Sequence, residues 1–122
     1  MTNLLVRALR GATTVGANDA EEIATATREL LTGMLVSNDV DVEDVISVLF
    51  TTSPDLTAAF PATAARGIGF ETVPLMCASE IDVPGAKKFC IRVMMHVYSS
   101  RARTEILHVY LRDAQNLRDD LR

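Results

Sequence analysis

The sequence lacks nearly every pattern by which an enzyme is recognised from sequence. It contains no G-x-S-x-G, no phosphate-binding loop, no G-x-G-x-x-G and no His–Cys–Asp arrangement at a recognisable spacing. An enzyme made from this chain therefore does not announce a nucleophile. Cysteine is scarce: Cys77 and Cys90 both lie in apolar runs and read as small, reduced core residues. The two histidines, His96 and His108, share no zinc-ligand spacing with each other or with the cysteines. No metal or other cofactor is expected. Positive charge is also short, with 12 Lys and Arg against 16 Asp and Glu and a net charge of −4. Nucleic-acid binding rests on a basic face, so no nucleic-acid partner is expected. No run of 18 apolar residues is present, which excludes a membrane-spanning helix of ordinary length and a membrane partner of that kind. The opening MTNLLVRALRGATT is broken by Arg7 and Arg10 and has no signal-peptide core. A cytoplasmic location is expected.

What is present suits one small globular domain over residues 1–122. Apolar residues make up 48% of 122, enough for a core and with material left for a buried contact between subunits. Leu4 to Leu9 reads as a first strand closed by Arg10-Gly11. Asn18 with Glu21 three residues later resembles a helix start, and Ile23, Thr27, Leu30, Leu31, Met34 and Leu35 recur at helical spacing to about Ser37. Val45 to Thr52 is a nearly continuous apolar and β-branched run, which suits a strand covered on both faces. Pro61 fits the first turn of a short helix ending at Arg66, before Gly67 and Gly69. A third strand, Phe70 to Cys77, contains Pro74, which lacks a ladder N–H and so places the strand at an edge or a bulge. Phe89 to Tyr98 and Ile106 to Leu111 complete the set, and the charged tail DAQNLRDDLR reads as loosely ordered. The expected fold is α+β, a βαβαβββ mixed sheet with helices on one face.

FCIRVMMHV, Phe89 to Val97, poses the sharpest question, because a buried-looking strand carries Arg92 at its centre. Alternation puts Ile91, Val93, Met95 and Val97 on one face and Cys90, Arg92, Met94 and His96 on the other. The aliphatic face must be core, so the other must tolerate a permanent cation. A structural salt bridge would satisfy it; so would a bound anion. Arg10 at a strand end, Glu80 in a loop, Tyr110 beside His108, Arg66 at a helix C-terminus and Phe60 before Pro61 each have an equally plain structural reading. Together they suggest a site for a small carboxylate or phosphate compound.

Four longer blocks carry more. RGATTV (Arg10 to Val15), SPDLTAAFPATAAR (Ser53 to Arg66), CASEIDVPGAKKFCIRVMMHV (Cys77 to Val97) and HVYLRDAQNLRDDL (His108 to Leu121) resemble the bacterial monofunctional chorismate mutases, in order and through nearly the whole chain. The resemblance implies a homotrimer forming a pseudo-α/β barrel, with active sites at subunit interfaces and the dicarboxylate chorismate as substrate. By the same resemblance Arg10 grips a substrate carboxylate, and Arg92 reaches the ether oxygen of the breaking bond. Glu80 and Cys77 lie near the ring hydroxyl, and Tyr110 stands against the enolpyruvyl carboxylate. Phe60, Ala62 and Arg66 come from the neighbouring subunit, while Leu117 and Arg118 close over the site. One departure stands out: Thr63 occupies a position where relatives carry a lysine. Two other classes remain open on composition alone, a trimeric imine or enamine deaminase and a carboxylate-binding module without catalysis.

Overall fold

A computed structural model describes residues 3–117. The chain runs β1 (Leu5–Thr14), α1 (Ala20–Ser37), β2 (Val45–Thr52), α2 (Pro61–Arg66), β3 (Leu75–Ser79), β4 (Cys90–Ser99) and β5 (Val109–Tyr110), with short 3-10 turns between. The strands form one mixed sheet in the order β3-β2-β4-β1-β5. β4 is antiparallel to both β1 and β2, whereas β3 runs parallel to β2 and β5 parallel to β1. This is the βαβαβββ order expected, with both helices on one face.

That covered face holds the main core. Ile91, Val93, Met95 and Val97 are all buried, as alternation requires. Leu9 of β1, Val48 and Phe50 of β2, and Leu30, Leu31 and Met34 of α1 pack with Val93, Met95 and Val97, and Ala62 and Ala65 of α2 join the same cluster. α1 starts one residue later than Asn18 suggested: Asp19 is the N-cap and accepts the Glu22 N–H at 3.0 Å. Asn18 instead ties the helix entry to the next loop, accepting the Thr57 and Ala58 N–H groups, each at 2.9 Å.

The strand boundaries differ from expectation for identifiable reasons. β1 continues through Arg10 and Gly11 to Thr14, so Arg10 sits mid-strand. Gly11 is there for close approach: a Cβ at this position would lie 2.5 Å from Met34 Sδ and 3.1 Å from Leu30 Cδ1. β3 begins after Pro74, whose carbonyl accepts the Val48 N–H at 3.0 Å, so the proline never needs a ladder donor. The strand is an edge, as Pro74 implied. β5 shrinks to two residues because the Ile106 N–H closes a turn on the Arg103 carbonyl and Leu107 is held by a side chain instead. Asn38, just past α1 and fully buried, accepts the Leu107 N–H and donates to the Leu107 carbonyl, both at 2.8 Å.

β2 is covered on one face only within the chain. Val48 and Phe50 enter the core, while Leu49 and Thr51 point to the bare side, where Leu49 is 40% exposed. The continuous apolar run was therefore an overstatement of its cover inside a single chain.

Candidate active site

The bare face of the sheet is where polar groups gather. On β4, Arg92 is flanked by Ala12 of β1 and Thr51 of β2. Alanine on one side leaves room beside the guanidinium. Arg10 lies opposite Met94 one step along β1, and Tyr110 pairs with Ala12 from β5. Glu80 follows β3 directly and is fixed by its N–H donating to the Thr52 carbonyl at 2.8 Å. Arg10, Glu80, Arg92, Tyr110 and Leu117 thus come from separate segments to line one cavity of about 270 Å³. Leu117 packs against Ala12, Cys90, Tyr110 and Ala114 at its rim. Arg118, the other half of that expected pair, lies outside the described residues.

Three polar atoms around this cavity are buried without a hydrogen-bond partner among the described residues: Arg92 Nε, Tyr110 OH and Thr51 Oγ1. Tyr110 is only 8% exposed. Buried donors left unmade cost about 1–3 kcal/mol each, and folded proteins rarely leave several together. Three such atoms in residues lining one cavity make it the candidate binding site, where a ligand's oxygens would complete the bonding.

The flanking chemistry fits. The Cys90 thiol is buried below Arg92, and burial pushes its pKa up, with the guanidinium pulling the other way. Arg10 donates its backbone N–H to His108 Nδ1 at 3.0 Å, which fixes the orientation of that ring beside β1. Arg92 and Glu80 also border a second cavity of about 740 Å³, roofed by the 80–88 loop and floored by Ser53 and Asp55.

The other sequence candidates stand elsewhere. Cys77 pairs with Phe50, so its side chain lies on the helix-covered side and not beside Arg92. With Phe60 it lines a separate cavity of about 430 Å³ past the edge strand. Phe60 is 71% exposed, and Arg66 is exposed at the end of α2. Ala62 is buried in the core cluster, while Thr63 is exposed on the outer side of α2. One chain therefore carries two groups of candidate residues on opposite sides of β3. Thr51 and Leu49 were missed by sequence reasoning, yet period-2 alternation from Val48 and Phe50 would have found them.

A mixed sheet with one helix-covered face, and cations, a carboxylate and an orphaned tyrosine hydroxyl on the other, is equipped to hold a small anionic compound. The chorismate mutase type I family model matches residues 6–121, and the chain belongs to that family. It is 44% identical to the chorismate mutase AroH of Bacillus subtilis (strain 168), over 97% of this chain and 94% of that protein. It is 47% identical to the chorismate mutase AroH of Thermus thermophilus, over 96% of this chain and 97% of that protein. The solved chorismate mutase from Clostridium thermocellum superposes with a TM-score of 0.87 at 51% identity, covering 88% of this chain and 96% of the other.

Proposed function

We propose that this chain is a chorismate mutase that converts chorismate to prephenate by an intramolecular [3,3] rearrangement, in the route to phenylalanine and tyrosine. The observation that carries the reading at this site is the trio of orphaned buried polar atoms, Arg92 Nε, Tyr110 OH and Thr51 Oγ1, around a cavity that Arg10 and Glu80 share. The ether C–O bond breaks as a C–C bond forms, and no proton or group is transferred. A nucleophile is unnecessary. The catalyst must hold a flexible dianion in its chair-like conformer and stabilise charge growing on the ether oxygen.

Arg10 grips one carboxylate, Tyr110 stands against the enolpyruvyl carboxylate, and Glu80 accepts the ring hydroxyl. Arg92 donates to the ether oxygen, where a fixed guanidinium gains most at the transition state. Leu117 and Arg118 close the opening.

The active unit is a homotrimer with sites between subunits. Phe60, Cys77 and Arg66 of a neighbouring subunit complete each site, which explains why one chain keeps the two groups apart. The bare β2 face and exposed Met76 and Leu49 supply the apolar contact. The free Cys77 and Cys90 suit a reducing cytoplasm.

Two measurements test this. Purified protein should consume chorismate in the ultraviolet and yield prephenate; a folded protein without turnover defeats the reading. Arg92→Ala and Arg66→Ala variants, each impaired, should regain activity when unfolded and refolded together. Random assembly of a head-to-tail ring joins two intact halves at about one contact in four, so recovery should approach about a quarter of wild type. No recovery would overturn the shared-site arrangement alone.

A further inference from the structure

Asp55 lies in the bend after β2, and its carboxylate does something the reaction does not obviously need. Both its oxygens accept the Phe89 backbone N–H, Oδ1 at 3.2 Å and Oδ2 at 3.0 Å. Oδ1 also accepts the Ser53 hydroxyl at 2.5 Å. Ser53 Oγ in turn accepts the Cys90 N–H at 2.9 Å, and the Ser53 N–H donates to the Cys90 carbonyl at 2.9 Å. One carboxylate, extended by one hydroxyl, therefore holds the two backbone N–H groups through which the chain enters β4.

Phe89 needs holding. Its φ of +50° lies in the left-handed region, where a bulky residue is rarely found without external support. Its ring packs against the small cluster of Val15, Ile23, Ala26, Leu56 and Ile91. This kink determines how β4 is entered, and a strand displaced by one residue exchanges its faces. Arg92 would then turn into the helix-covered core and Ile91 onto the bare face. Displacement far short of that would still move the guanidinium against its target.

We propose that Asp55 is a positioning residue for Arg92, setting the register and entry angle of β4 so that the guanidinium faces the cavity. The inference deepens the chorismate mutase reading and rests on it for its kinetic part. Among the described residues no ion pair links Asp55 to Arg92, so the influence runs through Phe89 and Cys90.

Charge and position make opposite predictions. If Asp55 mattered only as a negative charge near an anion site, removing it would lower KM and spare kcat. As a positioning group, Asp55→Ala should lower kcat at least about tenfold, because small misplacements of a catalytic group are costly. Asp55→Asn, which keeps an acceptor for Phe89, should restore most of that loss. In an Arg92→Lys background the same Asp55→Ala change should cost less than about twofold, since coupled residues are not additive. Equal losses in both backgrounds, or unchanged kcat in Asp55→Ala, overturn the proposal. If Asp55→Ala folds poorly, Ser53→Ala in the two backgrounds makes the same comparison. An independent readout needs no substrate: the Arg92 Nε–H resonance should lose order in Asp55→Ala and recover in Asp55→Asn. An unchanged resonance overturns positioning even where turnover is absent, whereas a wild type without turnover defeats only the assigned reaction.

Discussion

Replacing Arg92 should separate activity from stability more cleanly than any other change in this protein. Its Nε is buried with no hydrogen-bond partner among the described residues, so the folded protein carries an unmade donor on a permanent charge. Such a group costs about 1–3 kcal/mol without a ligand. Truncation to alanine relieves that cost and forfeits the packing of the aliphatic stem, two effects of similar size and opposite sign. The melting temperature of Arg92→Ala should therefore stay within a few degrees of wild type, at about 4 °C per kcal/mol for a chain of this length. The kinetic effect has no such cancellation. Charge on the ether oxygen is small in bound chorismate and large at the transition state, so loss of the donor falls on kcat. One preorganised donor of this kind is worth about 2.7–4 kcal/mol, or about 10²–10³ in rate. Arg92→Lys keeps the charge but not the planar fork, and should recover little. Steady-state kinetics beside a thermal melt decides the matter. Near-wild-type kcat in Arg92→Ala, or a rate loss that merely follows unfolding, would refute the assignment.

Four further outcomes follow from particular contacts. Glu80→Ala should clearly lower kcat/KM in the chorismate assay, and an unchanged value would remove Glu80 from the site. Gly11→Ala should destabilise the fold by about 1–3 kcal/mol through overpacking against Met34, measured by denaturant unfolding. Asn38→Ala strips partners from the Leu107 N–H and carbonyl and should cost about 2–4 kcal/mol, again by denaturant unfolding. Burial raises the Cys90 pKa, so the native state disfavours its thiolate and the resulting penalty on stability grows as pH climbs past the ordinary thiol value. Near neutral pH, iodoacetamide should accordingly label Cys90 only after unfolding, and rapid native labelling located at Cys90 by mass spectrometry would contradict this.

What the sequence revealed and what it hid divide along physical lines. The order of elements, the bounds of β2 and α2 and the two faces of β4 were legible because each depends on neighbours a few residues apart. Arg92 was legible for the same reason: alternation alone opposes it to Ile91 and Val93. The length of β1 was not, since Gly11 looks like a terminator and is instead a contact with Met34 on α1. β5 was overestimated because Asn38, distant in sequence, takes up backbone groups that a strand partner would otherwise satisfy. Cys77 and Glu80 are three positions apart and read as companions. Odd spacing in and just beyond a strand sends them to opposite faces, and Cys77 joins Phe60 instead. Asp55 was invisible, because its partner Phe89 is remote in the chain and its backbone conformation leaves no mark in the residue type.

The division of labour between the two faces of the sheet also bears on why such a site needs a second chain. A fixed guanidinium, a buried phenol and a buried hydroxyl can be held unpaired only on a scaffold whose stability comes from elsewhere. Here the helix-covered face, with Leu9, Phe50, Met95 and Val97 fully buried beneath α1, supplies it. The bare face is then free to carry groups that lose energy until a ligand arrives. A single chain closes that face poorly, because β3 is an edge and the residues beyond it look away from Arg92. Water entering the open cavity would compete with the ligand there, and a hydrated cation must be stripped before it can serve an oxyanion. Under the proposed trimer, the neighbour excludes that water and brings Phe60 and Arg66 across the same edge, so assembly and activation of the site become one event.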